Sequence, residues 1–216
     1  MSLRPLVPLL ALGFAPALQA QEPHFGFGFN LAFPTGEFRS RTTQGPSIAT
    51  VPPVQSTQTE GFDAGFGGQF TISFPIQPTM AFRMNFGGQS TSGTRSYSAG
   101  YSRDDLQHNI FSLAGEMQLF LNGGANRHRG SYFFFGPSAD FERWDYTYGR
   151  HDSWDYETYD RKSRMGANFG FGHSFGYFAG RFTMEVAFHK TLSGNDVAKG
   201  DPPSADFVKL HFGWVF

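Results

Sequence analysis

The sequence predicts an all-β protein, an antiparallel eight-stranded transmembrane β-barrel. The chain contains 27 phenylalanines and 27 glycines, which often alternate and so place a bulky group on only one face of a strand. Such period-two alternation recurs about eight times, as expected for barrel strands in which lipid-facing residues alternate with lumen-facing residues. After residue 20 no window approaches the roughly 18 consecutive apolar residues of a spanning helix. A membrane-spanning form of this chain must therefore be a closed barrel.

Residues 1–20 have the composition of an export signal. They contain one arginine, an apolar run over residues 6–15 and small residues that end at Ala20. This pattern predicts a secretory signal peptide. A spanning helix is the alternative, but the apolar run is too short and the segment contains Pro8 and Pro16. We expect cleavage after Ala20, which leaves residues 21–216 as the barrel domain.

Strands one to three are predicted at residues 24–33, 61–74 and 79–88. In the first, every second residue is Phe or Leu, and the residues between them are Gly, Asn or Ala. The second alternates mainly Phe and Ile with Gly, Gln, Thr and Ser, and ends at a Pro-Ile-Gln-Pro turn. The third directs Met and Phe outward and Arg83 inward.

Strands four and five are predicted at residues 106–121 and 131–144. The fourth directs Phe, Leu and Met outward and Glu116 inward, and an Asn-Gly-Gly turn follows it. The fifth directs Phe133 and Phe135 outward. Pro137 cannot donate a ladder hydrogen bond, so we expect a bulge or a local break there.

Strands six and seven are predicted at residues 164–175 and 181–189. In the sixth, Met, Ala and Phe alternate with Arg164, Gly and Asn. In the seventh, Phe, Met and Val alternate with Arg, Thr and Glu185. Glycines between residues 176 and 180 supply the turn that joins the two strands.

The eighth strand, residues 205–216, has an apolar residue at every second position back from the last one: Val208, Leu210, Phe212, Trp214 and Phe216. This pattern resembles the C-terminal strand of outer-membrane barrels. The rest of the mature chain is similar in pattern to small barrels of the OmpA transmembrane-domain and OmpX type. The resemblance implies a bacterial outer-membrane location, contact with outer-membrane lipids and lipopolysaccharide, and recognition of Phe212, Trp214 and Phe216 by the barrel assembly machinery.

The connections between predicted strands alternate in length. Short turns follow strands two, four and six, whereas the other connections span residues 34–60, 88–105, 145–162 and 190–204. Short turns are periplasmic in outer-membrane barrels, so both termini are expected in the periplasm. A hairpin within the first long connection would give ten strands. Residues 48–54 are the only candidate, and the Pro-Pro pair there argues against it.

The inward positions of the predicted barrel include charges of both signs. An eight-stranded barrel is just wide enough for its own side chains, so inward charges should pair. Those expected near mid-barrel depth are Arg83, Glu116, Glu185 and Lys209. Those expected nearer the extracellular rim are Asp63, Asp140, Glu142, Arg164 and His189. Mixed charges at one depth predict a plugged structural lumen, and a narrow channel for ions or small solutes is the alternative.

The connection after the fifth strand repeats Trp-Asp-Tyr at residues 144–146 and 154–156, as if two strands continued outward as a hairpin. One interpretation is cross-strand aromatic pairing that stiffens the hairpin. The other is an exposed surface that contacts an extracellular ligand, because Tyr and Trp offer large contact area. Its residues would be Trp144, Tyr146, Tyr148, Trp154, Tyr156 and Tyr159. The aspartates of this segment match no known calcium-loop spacing.

Other functions receive little support from the sequence. Some eight-stranded barrels are enzymes that act on lipid A, including a deacylase with a His, Ser and Glu triad, and His173, Ser174 and Glu185 are the candidates in this chain. His173 and Ser174, however, would point to opposite faces of one strand. No histidine has metal-ligand spacing, and we expect neither metal nor cofactor. The net charge of -1 without a basic patch argues against a nucleic-acid partner. The sequence thus predicts a non-enzymatic outer-membrane protein with a structural or surface-contact role.

Overall fold

The computed structural model describes residues 22–48, 54–97, 103–122, 124–150, 153–177, 180–192 and 205–216. The predicted signal peptide, residues 1–20, lies outside these ranges. Along the chain the elements are β1 (His24–Pro34), α1 (Gly36–Arg39), β2 (Arg41–Ile48), β3 (Val54–Phe62), β4 (Gly65–Gln77), β5 (Met80–Tyr97), β6 (Arg103–Phe120), a 3-10 helix (Ala125–Arg127), β7 (Gly130–Arg150), β8 (Ser153–Tyr177), β9 (Gly180–Thr191) and β10 (Phe207–Val215). No helix among the described residues has the length and apolar character needed to cross a membrane.

Eight of the strands form a closed antiparallel barrel, as predicted. Around the ring the order is β1, β4, β5, β6, β7, β8, β9 and β10, and β10 pairs again with β1. The connections after β4, β6 and β8 lie at the same end as the start of β1 and the end of β10; we call this the lower end. The other strand ends of the ring face the opposite, upper end.

The first long connection contains a hairpin that the sequence did not predict. Strands β2 and β3 pair with each other, and β3 also pairs with the upper part of β5, from Gln58 opposite Tyr97 to Phe62 opposite Gly93. The predicted second strand, residues 61–74, is therefore divided between β3 and β4. The two strands flank the segment 48–54 that was considered for a hairpin, and its Pro-Pro pair lies outside the described residues. The hairpin extends the rim and does not enlarge the barrel ring.

The outer face of the barrel is a belt of exposed apolar side chains, which confirms the predicted alternation. Phenylalanines from neighbouring strands contact each other in this belt: Phe29 stacks on Phe212 with ring centroids 5.1 Å apart, and Phe169 stacks on Phe188 at 5.0 Å. So much exposed apolar surface is unfavourable in water and favourable in lipid. The belt therefore fits the hydrocarbon core of a membrane.

The predicted irregularity at Pro137 is a break in the ladder between β6 and β7. Their pairing runs as far as Ala114 opposite Ser138 and resumes at Met117 opposite Phe135. Proline has no backbone N–H, so it cannot complete the ladder at this point.

The seam between β1 and β10 closes the barrel. Beyond the strand ladder, Phe216 N–H donates to the carbonyl of Phe25 at 2.8 Å, and Phe25 N–H donates to the carbonyl of Phe216 at 3.3 Å. Close packing at the seam requires glycine on β1. A Cβ atom at Gly28 would lie 2.3 Å from the Phe212 carbonyl oxygen and 2.5 Å from the His211 ring.

Candidate functional site

The middle of the lumen contains an ion cluster centred on one arginine. Arg83 and Glu116 are cross-strand partners on β5 and β6, and Arg83 Nε donates to Glu116 Oε2 at 2.9 Å. The same guanidinium also pairs with Glu185 on β9, across the lumen. All three side chains are buried. A single cation thus links two carboxylates on separate parts of the wall.

Neutral side chains complete this cluster. Asn85 Nδ2 donates to Glu116 at 2.8 Å, and the Tyr132 hydroxyl donates to Glu185 at 2.6 Å. The Arg83 guanidinium carbon lies 4.4 Å from the centroid of the Phe134 ring. These contacts fix both carboxylates and the guanidinium, as the burial of charge requires.

A second group of charges lies nearer the upper end. Asp140 accepts a hydrogen bond from Ser112 at 2.7 Å and lies 3.3 Å from His189 Nε2. Glu142 lies 3.7 Å from Arg164 Nε and 3.6 Å from His108 Nε2. The structure thus brings Asp140, Glu142, Arg164 and His189 together, but Asp63 is exposed on the segment between β3 and β4. The Asp63 backbone N–H donates to the Ser92 carbonyl at 2.8 Å, but Asp63 precedes β4, which begins only at Gly65, and its exposed side chain does not join the lumen charges.

Lys209 on β10 belongs to the same interior. Its ammonium nitrogen lies 5.1 Å from the centroid of the Phe207 ring. It lines a cavity of about 40 Å³ with Asn30, Arg83, Glu116 and Glu185. A second interior cavity, next to His128 and Thr183, measures about 10 Å³. Such volumes hold only a few water molecules.

The upper end of the lumen is filled by aromatic rings around Phe38. This residue lies on α1 and has no exposed surface. Its ring stacks on Phe62 with centroids 4.7 Å apart and meets Trp144 edge-on at 5.9 Å. Phe207 and His108 complete the group, with the His108 ring 4.1 Å from Trp144. We call these five residues the upper aromatic cluster.

Trp144 corrects one expectation from the sequence. It was predicted on an exposed contact surface, yet it is only 1% exposed and its indole N–H donates to Glu142 at 2.9 Å. The reason is strand parity, since β7 continues beyond residue 144 and Trp144 shares the inward face with Asp140 and Glu142.

The lower end of the lumen is filled by a second set of rings. Phe120 and Tyr132 have centroids 4.9 Å apart, and His128 lies 5.5 and 5.6 Å from them. His128 follows the 3-10 helix and has a φ of 43°, in the left-handed region. Burial of its ring, with a contribution from the Arg83 charge, lowers the pKa of His128 to about 3. We call Phe120, His128 and Tyr132 the lower aromatic cluster.

The residues considered for catalysis do not form a triad. His173 is partly exposed and 2.8 Å from the Ser131 hydroxyl, whereas Ser174 is buried on the opposite face. The Ser174 hydroxyl donates to the backbone carbonyl of His128 and so ties the lower turn to β8. Glu185 belongs to the Arg83 cluster. Among the described residues, no three His, Cys, Asp or Glu side chains converge as a metal site would require.

The predicted outward hairpin is formed by β7 and β8. Their register places Tyr148 opposite Tyr156, Tyr159 opposite Asp145 and Trp154 opposite Gly149. The side chains of Tyr146, Tyr148, Trp154, Tyr156 and Tyr159 lie outside the part of the chain that the structure describes.

The three residues of the predicted assembly signal lie on the outer side of the seam. Phe212 stacks on Phe29, Trp214 is 6.4 Å from Phe182, and Phe216 is 5.9 Å from Phe27. Sequence reasoning found these positions, but it missed Phe38 and His108. Phe38 is the only aromatic residue between Phe33 and Phe62, and an isolated ring in a polar segment was the available signal.

The fold is that of small eight-stranded outer-membrane barrels. The crystal structure of OprG from Pseudomonas aeruginosa aligns with a TM-score of 0.52 and 12% identity over 91% of this chain and 96% of OprG. Ail, the attachment invasion locus protein of Yersinia pestis, aligns with a TM-score of 0.49 and 10% identity. That alignment covers 91% of this chain and 100% of Ail. The N-terminal barrel domain of P. aeruginosa OprF aligns with a TM-score of 0.40 and 13% identity, over 92% of this chain and 100% of that domain.

At these identities the similarity is limited to the fold. No family model matches the chain, and no curated protein matches it.

Proposed function

We propose that this chain is a non-enzymatic integral protein of the bacterial outer membrane, with a structural role and a surface-contact role at its upper end. One observation carries the proposal: the same eight strands present an exposed phenylalanine belt outside and paired charges between two aromatic clusters inside. The belt suits lipid, and the closed interior suits a wall rather than a pore.

The proposed orientation places the connections after β4, β6 and β8 in the periplasm and the β7–β8 hairpin outside the cell. An epitope tag inserted after Arg150 should then be labelled by antibody on intact cells. The same tag inserted after Leu121, in the β6–β7 turn, should be labelled only after permeabilisation. The reverse pattern, or recovery of the protein outside the outer-membrane fraction, would contradict the proposed location.

A structural barrel should not conduct ions. Planar bilayers containing the purified protein are expected to show no stable conductance steps. Both aromatic clusters and the Arg83 cluster lie in the path that an ion would take through the lumen. Regular single-channel steps with the intact protein would favour the alternative of a narrow channel.

The surface-contact role is assigned to the β7–β8 hairpin. From Arg143 to Arg150 the strand rises roughly 20 Å at about 3.3 Å per residue, which carries its tip away from the apolar belt. The hairpin contains Tyr148, Trp154, Tyr156 and Tyr159. Replacement of these four residues by Ser is expected to reduce attachment of expressing cells to host cells or matrix. The matched control carries four Thr→Ser or Gln→Ser changes in the β2–β3 hairpin. If cells with the aromatic variant attach as well as cells with this control, only the structural role remains.

A further inference from the structure

The connection between β6 and β7 lies across the lower mouth of the barrel. Its 3-10 helix is held against the turn after β4, since Ala125 N–H donates to the Pro78 carbonyl at 2.9 Å. His128 follows this helix, and its buried ring enters the lumen. Arg127 and Arg129, on either side of it in sequence, are exposed. The connection thus has one side toward the lumen and one toward solvent.

A third arginine lies at the same mouth. Arg181 is on β9, on the inward face that it shares with Glu185, and it is half-buried at the lower end of that strand. Its partner on β8 is Gly176. A Cβ atom at Gly176 would lie 3.9 Å from Arg129 Nε. Arg129 and Arg181 therefore approach the same place, the inner side of the end of β8.

His24 connects these arginines to the start of β1. Its Nε2 lies 3.2 Å from the carbonyl oxygen of Asn126, in the connection across the mouth. Glu22 and Arg181 are the charged groups that act on its ring. One continuous surface at the lower mouth thus contains the three arginines and His24.

Carboxylates are scarce on this surface. Residues 117–139 and 161–184 contain no Asp or Glu. Glu185 is buried in the Arg83 cluster, so Glu22 is the exposed carboxylate side chain at this mouth among the described residues. Even with a carboxylate at Phe216 counted, the three guanidinium groups are in excess. The lower mouth is therefore a cationic surface, and it suits an anionic partner.

Position decides which anion can reach these arginines together. Phospholipid head groups surround the outer wall of a barrel, whereas Arg129 and Arg181 lie on its inner side and Arg127 lies on the connection across the mouth. A partner that approaches along the barrel axis can contact all three. In the orientation proposed above, this axis points into the periplasm and toward the cell wall.

The cell wall presents the chemistry that such a surface binds. Peptidoglycan is a polymer whose peptide stems repeat and have free carboxylates. Arg binds a carboxylate through a planar fork of N–H donors. Several weak contacts to one polymer also reinforce each other, because the first contact raises the effective concentration of the next carboxylate.

We propose that the lower mouth is a docking surface for peptidoglycan, in which Arg127, Arg129 and Arg181 bind carboxylates of the peptide stems. The proposal rests on the proposed function, because only the orientation given above directs this mouth toward the cell wall. A barrel bound in this way connects the outer membrane to the wall through its own periplasmic end.

The test is co-sedimentation of the barrel, in nanodiscs of phosphatidylcholine, with isolated peptidoglycan sacculi. R127Q/R129Q removes the charge of two exposed side chains and keeps them polar, and it is expected to weaken binding by about fivefold. Adding R181Q should weaken it further. The matched control is R39Q/R143Q, which removes two exposed cations from the upper end and should bind as the unaltered protein does.

The role of the carboxylates is tested on the polymer itself. Sacculi whose carboxylates have been amidated with carbodiimide and ethanolamine should no longer bind the barrel. Raising the salt concentration from about 0.1 to 1 M shortens the screening length from about 10 to 3 Å and should weaken binding to untreated sacculi.

Three results would overturn the inference. Equal binding of R127Q/R129Q and R39Q/R143Q would place the contact elsewhere on the barrel. Undiminished binding to amidated sacculi would mean that carboxylates are not recognised. Equally tight, arginine-dependent binding to phosphatidylglycerol vesicles would assign the surface to lipid instead. Sedimentation of the purified protein does not depend on cellular location, so the epitope-tag experiment can fail while this one succeeds, and the two failures are distinguishable. Urea midpoints show whether each variant is folded.

Discussion

The two ends of the lumen are both closed by aromatic rings, but the rings come from different kinds of segment. At the upper end the central ring is Phe38, which α1 carries inward from the connection between β1 and β2. At the lower end Phe120 and Tyr132 belong to wall strands, and only His128 comes from a turn. The upper closure therefore depends on a short segment outside the ladder, whereas the lower closure is largely part of the wall.

Both ends are nevertheless connected to the charges between them in the same way. Tyr132 donates to Glu185 from below, and Trp144 donates to Glu142 from above. In each case a ring fills the lumen while its polar atom satisfies a buried carboxylate. The comparison predicts that the charges contribute most to stability, and that the two closures differ in how readily they open.

The largest effect should come from the cation between the two ends. Arg83→Ala leaves Glu116 and Glu185 buried without their shared partner, and it should lower the free energy of unfolding by about 3–5 kcal/mol. Urea unfolding in lipid vesicles, followed by tryptophan fluorescence, measures this change. The matched control is Arg143→Ala, an exposed arginine whose removal should cost less than about 1 kcal/mol. Similar losses for both variants would mean that the cluster does not stabilise the barrel as an ion network.

The difference between the ends is tested by opening them separately. Phe38→Ala should cost about 3 kcal/mol, within the range for truncation of a buried phenylalanine. The chain has no cysteine, so a single Cys can report on access. Ile110→Cys should react with a maleimide only when combined with Phe38→Ala. Combined with Phe120→Ala it should stay protected, and equal reactivity in both backgrounds would remove the distinction between the ends.

The feature that the two ends share is tested by removing one hydroxyl. Tyr132→Phe keeps the ring in the lower aromatic cluster but removes the donor to Glu185, and it should cost about 1.5–3 kcal/mol. The urea midpoint measures this loss. Maleimide access to Ile110→Cys should not change, because the ring still fills the lower end. If Tyr132→Phe leaves the urea midpoint unchanged, Arg83 alone is enough to satisfy the Glu185 carboxylate.

The smallest effect concerns pH and is confined to the lower end. With a pKa of about 3, His128 is neutral in the folded protein, whereas the unfolded chain has an ordinary His pKa near 6.5. The folded pKa is the lower one, so stability from this group is complete above pH 6.5 and is lost as pH falls toward 3. Between pH 7 and pH 5 the loss should be about 1–2 kcal/mol.

The control is His128→Asn, because Asn is the side chain that best tolerates the left-handed backbone at this position. Its stability should fall less than that of the unaltered protein over the same pH range. The groups around His128 that carry or could gain charge are His24, Arg83, Glu185 and Tyr132. Parallel pH curves for the two proteins would mean that His128 does not contribute.

The sequence predicted correctly the features that depend on a single strand, above all which side chains face outward and which face the lumen. Alternation on β10 assigned each residue from Val208 to Phe216 to the correct face. A one-residue shift would turn the apolar side chains of this strand into the filled lumen and its other side chains toward lipid. It also placed Arg83 and Glu116 inside.

Features that depend on several strands could not be read in the same way. The fit of Phe38 between Phe62 and Trp144 depends on a connection folding back into the barrel. Trp144 was misplaced because the fifth strand was predicted to end where it continues, although the alternation shared with Glu142 was already visible.

The seam between β1 and β10 has a consequence for the time course of folding. It joins Gly26 to Val215 and Pro34 to Phe207, so the ring cannot close until nearly the whole chain has been delivered. Contacts between residues so far apart in sequence form slowly, since a long loop must close before they stabilise anything. Until β10 arrives, one side of β1 has a row of unsatisfied N–H and C=O groups, and an open strand edge of this kind pairs readily with other chains. The last strand to arrive thus ends the period in which the chain is most prone to aggregate.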